Sequence, residues 1–216
     1  MSSFIGHSLA AVTVYVATEF VVFPANNLEA RSWFKSSRLI WLGWLIVIAS
    51  IPDLDYVINS LNSLNNQGLR ITHSILFSLI APSLSILALL LLESQQVLQR
   101  GIQVILAGLS HLILDLSVGV TPLPLLFPLV KISFKLPFGI LPSAGRVDLQ
   151  NYYFYRNLWL EMGVLLPVFV VTCLLGFNKV STVKNLPLFK FLGLSSAIAM
   201  LICASYFIGK NLQLPR

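Results

Sequence analysis

The chain alternates long apolar runs with short polar segments, and six of the runs approach the length needed to cross a membrane. A hydrocarbon core about 30 Å thick requires roughly 20 residues of helix, and apolar runs of this length favour helices over strands. The predicted crossings cover residues 5–23, 39–57, 71–92, 102–118, 158–177 and 187–209. We therefore predict an all-α fold, a polytopic transmembrane bundle of about six helices.

One long connection, residues 119–157, separates the fourth and fifth predicted crossings, and its prolines indicate a partly irregular loop. Within it, residues 131–136 alternate apolar and polar positions, which is typical of a short strand or of an interfacial stretch. We predict a single integral membrane domain, 1–216. It would consist of a four-helix half, 1–118, the loop, and a C-terminal helix pair, 158–216.

Composition supports a membrane protein and restricts its partners. Hydrophobic residues make up 56% of the chain and charged residues only 10%, against about 25% charged residues in soluble domains. The net charge is +6, but the basic residues lie between apolar runs, where contacts with lipid headgroups explain them. We expect membrane lipid as a partner and no nucleic acid. The basic residues divide evenly between the two sides, so the orientation stays open.

Counting the crossings places most of the chemistry-bearing side chains on one side of the membrane. We call this side face A, the side on which the first helix begins. Even-numbered helices end there and odd-numbered helices begin there, so four successive helix ends deliver polar groups to the same face. The residues delivered are His7, Asp53, Asp55, His73, His111 and Asp115.

These residue types suit a divalent metal ion. His111 and Asp115 are four residues apart, which puts both side chains on one stripe of a helix. Asp53 and Asp55 are close enough to repel each other, and a cation would relieve that cost. Imidazole and carboxylate ligands favour Zn²⁺, with Mn²⁺ or Fe²⁺ as alternatives. The two aspartates after the second helix would either ligate the ion or act as base toward the attacking water.

Each motif also has a simpler interpretation. His111 and Asp115 could form a buried hydrogen-bonded pair, and Asp53 and Asp55 could lie in a solvated loop. The sequence Thr72-His73-Ser74 opens the third helix with Thr72 as a predicted N-cap, beside which the histidine could be incidental. As substrate-binding residues we predict Arg70, Thr72 and Ser74, because a helix N-terminus and an arginine both bind phosphate. We expect no site role for Glu19 or Glu161.

Several short motifs, taken in order, resemble one known family. They are Gly6-His7, Pro52-Asp53-Leu54-Asp55, Thr72-His73-Ser74, Leu109-Ser110-His111-Leu112-Ile113-Leu114-Asp115 and Pro122-Leu123-Pro124-Leu125-Leu126-Phe127-Pro128. Together they resemble the YdjM-like family of bacterial inner-membrane proteins, which are described as metal-dependent hydrolases. The resemblance implies an inner (plasma) membrane location and metal ligands at the six residues on face A.

The His-x-x-x-Asp pattern is also similar to that of zinc-dependent phospholipase C. This more remote likeness implies a phosphoester substrate, with lipid as one candidate. At two positions the chain departs from the family pattern. Tyr56 and Gly68 stand where the family commonly has histidines. Two other hypotheses therefore stay open: a non-catalytic relative that keeps the polar cluster for stability or partner binding, and an ion or proton carrier.

Overall fold

The computed structural model describes residues 2–23, 36–57, 70–119, 121–136, 139, 141 and 150–180, with short helical pieces between 194 and 202. Helix α1 (Phe4–Val16) continues as a π-helical segment (Ala17–Val22), and α2 (Ser36–Ser50) is followed by a 3-10 turn (Ile51–Asp53) and by α3 (Leu54–Val57). A second 3-10 turn (Ile71–His73) precedes α4 (Ile75–Leu91), α5 (Val97–Val118) and α6 (Tyr152–Val180). Among the described residues β pairing is limited to one bridge, between Leu123 and Phe134. The predicted all-α class is confirmed.

Three of the described helices are long and apolar enough to cross a membrane: Phe4–Val22, Val97–Val118 and Phe154–Gly176. A shorter apolar helix spans Ile75–Leu91. These helices correspond to the predicted first, fourth, fifth and third crossings. The predicted sixth crossing, 187–209, lies mostly outside the described residues.

Helix α1 is at the centre of the bundle, since it packs against α2, α5 and α6. Its buried residues Ala11 and Tyr15 join Leu45, Ile48 and Val104 in the main apolar core. Helix α4 packs along α5, and Gly108 permits their close approach. A Cβ atom at Gly108 would lie only 2.7 Å from the backbone oxygen of Ser78.

Three helix starts differ from the sequence-based prediction by four residues or more. Helix α5 begins at Val97 instead of residue 102, and α6 begins at Tyr152 instead of residue 158, so the loop predicted for 119–157 ends at residue 151. Hydropathy marks the apolar part of a crossing, whereas both helices extend into polar sequence.

Helix α4 begins at Ile75, and its N-cap is Ser74, whose hydroxyl accepts from Phe77 N. The prediction that Thr72 caps this helix was wrong, because Thr72 lies in the preceding 3-10 turn.

The described part of the long loop is hydrogen-bonded to the start of α4. Leu123 is fully buried and exchanges two backbone hydrogen bonds of 2.8 Å with Phe134, and Ile75 N donates to Leu125 O at 2.9 Å. The alternating stretch 131–136 contributes only this one bridge, and Ile132 on it is exposed. The loop therefore lies at the face A end of the bundle, next to His73.

Candidate metal centre

Four separate elements bring histidine and aspartate side chains to one place. His7 comes from α1, Asp53 from the turn after α2, and His73 from the turn before α4, while His111 and Asp115 share one face of α5. The three histidines have no exposed surface. Pro52 is the second residue of the turn after α2. Proline lacks the N–H that would continue an α-helix, and the α-helix gives way to a 3-10 turn just before the two aspartates.

Four of these residues form a compact group. One ligand atom from each of Asp53, His73, His111 and Asp115 lies within 4.8 Å of the others. His73 Nε2 is 3.3 Å from His111 Nε2, 3.3 Å from Asp115 Oδ2 and 3.6 Å from Asp53 Oδ1. Around a tetrahedral zinc with bonds of about 2.0 to 2.2 Å, neighbouring ligand atoms are about 3.3 to 3.6 Å apart. The spacing therefore fits ligands that share one ion.

Hydrogen bonds orient two of the imidazole rings. His111 Nδ1 lies 2.7 Å from the carbonyl oxygen of Ala49. A carbonyl only accepts, so Nδ1 carries the proton and Nε2 presents its lone pair to the group. His73 Nδ1 bonds the Thr72 hydroxyl at 3.0 Å, again leaving Nε2 for the centre. Metal-binding histidines characteristically use one nitrogen for the ion and hold the other by such a bond.

Several polar atoms of this group and of the adjacent His7 have no hydrogen-bond partner among the described residues. They are Asp53 Oδ1, Asp115 Oδ2 and both ring nitrogens of His7. Burying such atoms without a partner costs about 1 to 3 kcal/mol each, and more when they are charged. A bound cation would satisfy the two carboxylate oxygens and one of the two His7 nitrogens, so the residues present fit a divalent ion.

Asp55 and Arg70 form a pair on the outer side of His73. Arg70 donates from Nε to Asp55 Oδ2 at 2.8 Å and from Nη2 to Oδ1 at 3.0 Å. The same carboxylate lies 3.6 Å from His73 Nδ1, and Arg70 Nη2 lies 3.7 Å from Asp53 Oδ1. The ligand and base roles of Asp55 stay predictions, as do the substrate-binding roles of Arg70, Thr72 and Ser74.

Sequence reasoning missed Glu161. This residue of α6 is fully buried, and its carboxylate accepts from the Ser2 hydroxyl and from Ser3 N at 3.0 and 3.1 Å. Ser2 N in turn donates to Asp115 Oδ1 at 2.8 Å. Gly6 leaves room for this contact, because a Cβ there would collide with the Glu161 carboxylate. Glu161 thus anchors the segment that holds Asp115. The sequence did contain one indication of this role, because a single acidic residue within an apolar crossing is costly and usually has a specific partner.

Glu19 belongs to a second polar network, at the opposite end of α1. Gln99 donates to its carboxylate at 2.7 Å, and Arg38 and Arg100 lie 3.7 and 3.9 Å away. Gln103 joins the network by donating to Thr18. Glu19 is twelve residues beyond His7, or about 18 Å along the helix. The two networks therefore occupy opposite ends of the bundle.

Fold and site together define a helical integral membrane protein whose buried Asp/His/His/Asp group could hold a metal ion. A family model described as "YdjM inner membrane protein" matches residues 1–185, so the chain belongs to the YdjM family. The resemblance noted from the motifs is confirmed, and the protein is located in the inner membrane. The searches of curated proteins and of solved structures gave no significant match.

Proposed function

We propose that this protein is a membrane-bound, metal-dependent hydrolase of an ester or phosphoester, with lipid as a candidate substrate. The observation that supports this most directly is the group Asp53, His73, His111 and Asp115. Its ligand atoms lie within 4.8 Å of one another, and two of its carboxylate oxygens are buried without a hydrogen-bond partner in the described part of the chain. The donor set favours Zn²⁺, with Mn²⁺ or Fe²⁺ as alternatives.

In this proposal His73, His111, Asp53 and Asp115 hold the ion. A divalent ion supplies positive charge that polarises an ester or phosphoryl oxygen and makes water a better nucleophile. Asp53 differs from the other three, because its side chain is 23% exposed whereas theirs are 0 to 1% exposed. Water and substrate would therefore reach the centre beside Asp53.

The surroundings of Asp53 suit a phosphoester with an apolar chain. Arg70 lies beside it with its side chain 14% exposed, and a guanidinium group binds phosphate oxygens well. Leu54 and Leu76 are exposed next to the two turns that carry Asp53 and His73. These leucines would contact acyl chains, while Arg70 and the ion would contact the headgroup.

Purified protein in lipid nanodiscs tests the proposal. Metal content and hydrolysis of a panel of carboxylic esters, phosphoesters and phospholipids would be measured for wild type, His111→Ala and Ser117→Ala. Ser117 is the matched control, because it lies on the same helix and its hydroxyl bonds the Ile113 carbonyl outside the centre. We expect hydrolysis by wild type and Ser117→Ala, and loss of hydrolysis in His111→Ala and after chelation.

The same experiment separates the proposal from a non-catalytic role. A wild-type protein that binds metal but hydrolyses nothing in the panel would contradict the hydrolase and favour a structural or partner-binding relative. The departures from the family pattern at Tyr56 and Gly68 give this alternative its basis. A wild-type protein that binds no divalent metal would contradict the proposed centre altogether.

Ion or proton transport is less well supported. A carrier needs polar groups that continue from one face to the other. Between the histidine centre and the Glu19 network, the described core contains Ala11, Leu45, Ile48 and Val104, which are apolar and at most 1% exposed. Proton flux into vesicles that disappears in Asp115→Asn would reverse this ranking.

A further inference from the structure

The two carboxylates of the centre each direct their oxygens to different histidines. Asp53 Oδ1 lies 3.6 Å from His73 Nε2 and 3.8 Å from His111 Nε2, whereas its Oδ2 lies 3.7 Å from His7 Nε2. Asp115 Oδ2 lies 3.3 Å from His73 Nε2 and 3.8 Å from His111 Nε2, whereas its Oδ1 lies 3.6 Å from His7 Nε2. One side of each carboxylate therefore faces His73 and His111, and the other side faces His7.

His7 and His111 are stacked on each other. Their ring centroids are 3.9 Å apart and their planes are inclined by only 13°. The Nε2 atoms of both rings also face the same two carboxylates. The two Nε2 lone pairs could therefore bind two separate ions that lie side by side. Two-metal hydrolytic centres hold their ions about 3.5 to 4 Å apart, which is close to the separation of the rings.

A simpler explanation for His7 would be an imidazolium ion paired with the two aspartates. Charge-assisted N–H···O bonds are about 2.7 to 2.9 Å long. The Nε2 atom of His7 is instead 3.6 Å from Asp115 and 3.7 Å from Asp53, and neither ring nitrogen has a hydrogen-bond partner among the described residues.

We propose that the centre holds two divalent cations bridged by Asp53 and Asp115. The first position is the one of the proposed function, with His73 and His111 as its nitrogen ligands. The second has His7 Nε2 as its nitrogen ligand, together with Asp53 Oδ2 and Asp115 Oδ1. The amide of Ser2 also donates to Asp115 Oδ1, and a carboxylate oxygen has lone pairs for both partners.

The second position has fewer protein ligands than the first, three against four. A catalytic zinc typically has three protein ligands and one open place for water or substrate. Two divalent cations carry more positive charge than the two bridging carboxylates neutralise. Asp55 does not remove this excess, because its own charge is paired with Arg70. A paired centre therefore favours a phosphoester over an uncharged carboxylic ester, and in this respect the inference rests on the proposed function.

Metal stoichiometry tests the pair without depending on hydrolysis. Protein depleted of metal and then saturated with Zn²⁺ would be analysed by mass spectrometry of the bound metal, for wild type, His7→Ala and Ser8→Ala. Ser8 is the matched control, since it adjoins His7 and its hydroxyl bonds the Phe4 carbonyl. We expect about two ions per chain in wild type and Ser8→Ala and about one in His7→Ala.

Electron paramagnetic resonance of the Mn²⁺-loaded wild type gives a second measurement that needs no variant. An exchange-coupled pair of ions would support the proposal, and an isolated-ion spectrum at saturation would overturn it. One ion per wild-type chain would overturn the pair and leave the hydrolase proposal standing. No bound ion would overturn both.

Discussion

Gly108→Ala is expected to weaken both the packing of α4 on α5 and the metal centre. The added Cβ would lie 2.7 Å from Ser78 O and 3.1 Å from Pro82 Cγ. Carbon-to-oxygen contacts are normally about 3.3 to 3.6 Å, and a backbone oxygen within a helix cannot turn away. The two helices must therefore separate by roughly half an ångström. His111 follows Gly108 by one turn on α5, so its distance to His73 would increase.

The expected magnitude is the balance of two effects. Overpacking costs about 1 to 3 kcal/mol, and replacing a mid-helix glycine by alanine gains about 0.5 to 1 kcal/mol. The free energy of unfolding should fall by about 1 kcal/mol, within a range of about 0 to 2.5 kcal/mol. Gly43→Ala is the matched control, because nothing lies within 4 Å of a Cβ built at that position of α2. The Gly43→Ala variant should be about 0.5 to 1 kcal/mol more stable than wild type, because alanine favours the helix and no steric overlap opposes it.

The assay is unfolding of the metal-free protein by denaturing detergent in mixed micelles, followed by tryptophan fluorescence, with Zn²⁺ affinity measured separately. We expect Gly108→Ala to be less stable than wild type and to bind Zn²⁺ more weakly, whereas Gly43→Ala binds it normally. A Gly108→Ala protein as stable as Gly43→Ala would refute the close approach of the two helices.

Three further predictions concern the site and the opposite network. Glu161→Gln removes the charge that anchors the Ser2–Ser3 segment behind Asp115, so Zn²⁺ affinity should fall about 10 to 100-fold; an unchanged affinity in competition with a chromophoric chelator would contradict this. Gln103→Leu removes the acceptor of the partly buried Trp41 Nε1 and the donor to the buried Thr18 hydroxyl, so stability should fall by about 1 to 3 kcal/mol; loss of bound metal as well would show that the two networks are not independent. Removing Zn²⁺ present at about 100 times its dissociation constant should lower stability by about 2.7 kcal/mol; calorimetry showing no change would exclude a bound ion.

The convergence of the histidines and aspartates on one face could be predicted because it follows from alternating passage through the membrane. Counting crossings required no knowledge of side-chain geometry, and the spacing of His111 and Asp115 placed both on one side of a helix. The structure brings these side chains together with His7 and His73. The membrane therefore supplied a constraint that a soluble chain of the same length would lack.

The partners of individual polar groups could not be predicted, because they are distant in sequence. Glu161 bonds Ser2 and Ser3, which are 159 and 158 residues away. Gln99 bonds Glu19, which is 80 residues away. Serine and threonine are both good N-caps, so the choice of Ser74 over Thr72 depended on a 3-10 turn that propensity alone does not reveal.

The division of each carboxylate between two sets of histidines was also beyond the sequence. Sequence spacing indicates which residues meet, whereas the direction of each oxygen depends on side-chain torsions and on neighbours such as Arg70 and Ser2. The residue types alone do not determine the number of ions. The separate contacts of Asp53 and Asp115 and the stacking of His7 on His111 favour a pair.

X-ray absorption spectroscopy of the Zn²⁺-loaded protein tests the central claim most directly, because it reports the atoms around the ion itself. A centre built from His73, His111, Asp53 and Asp115 predicts nitrogen and oxygen neighbours at about 2.0 to 2.2 Å, outer-shell scattering from imidazole rings, and no sulfur. His111→Ala should reduce the imidazole scattering. A wild-type spectrum with sulfur ligands, or with no imidazole contribution, would contradict the account.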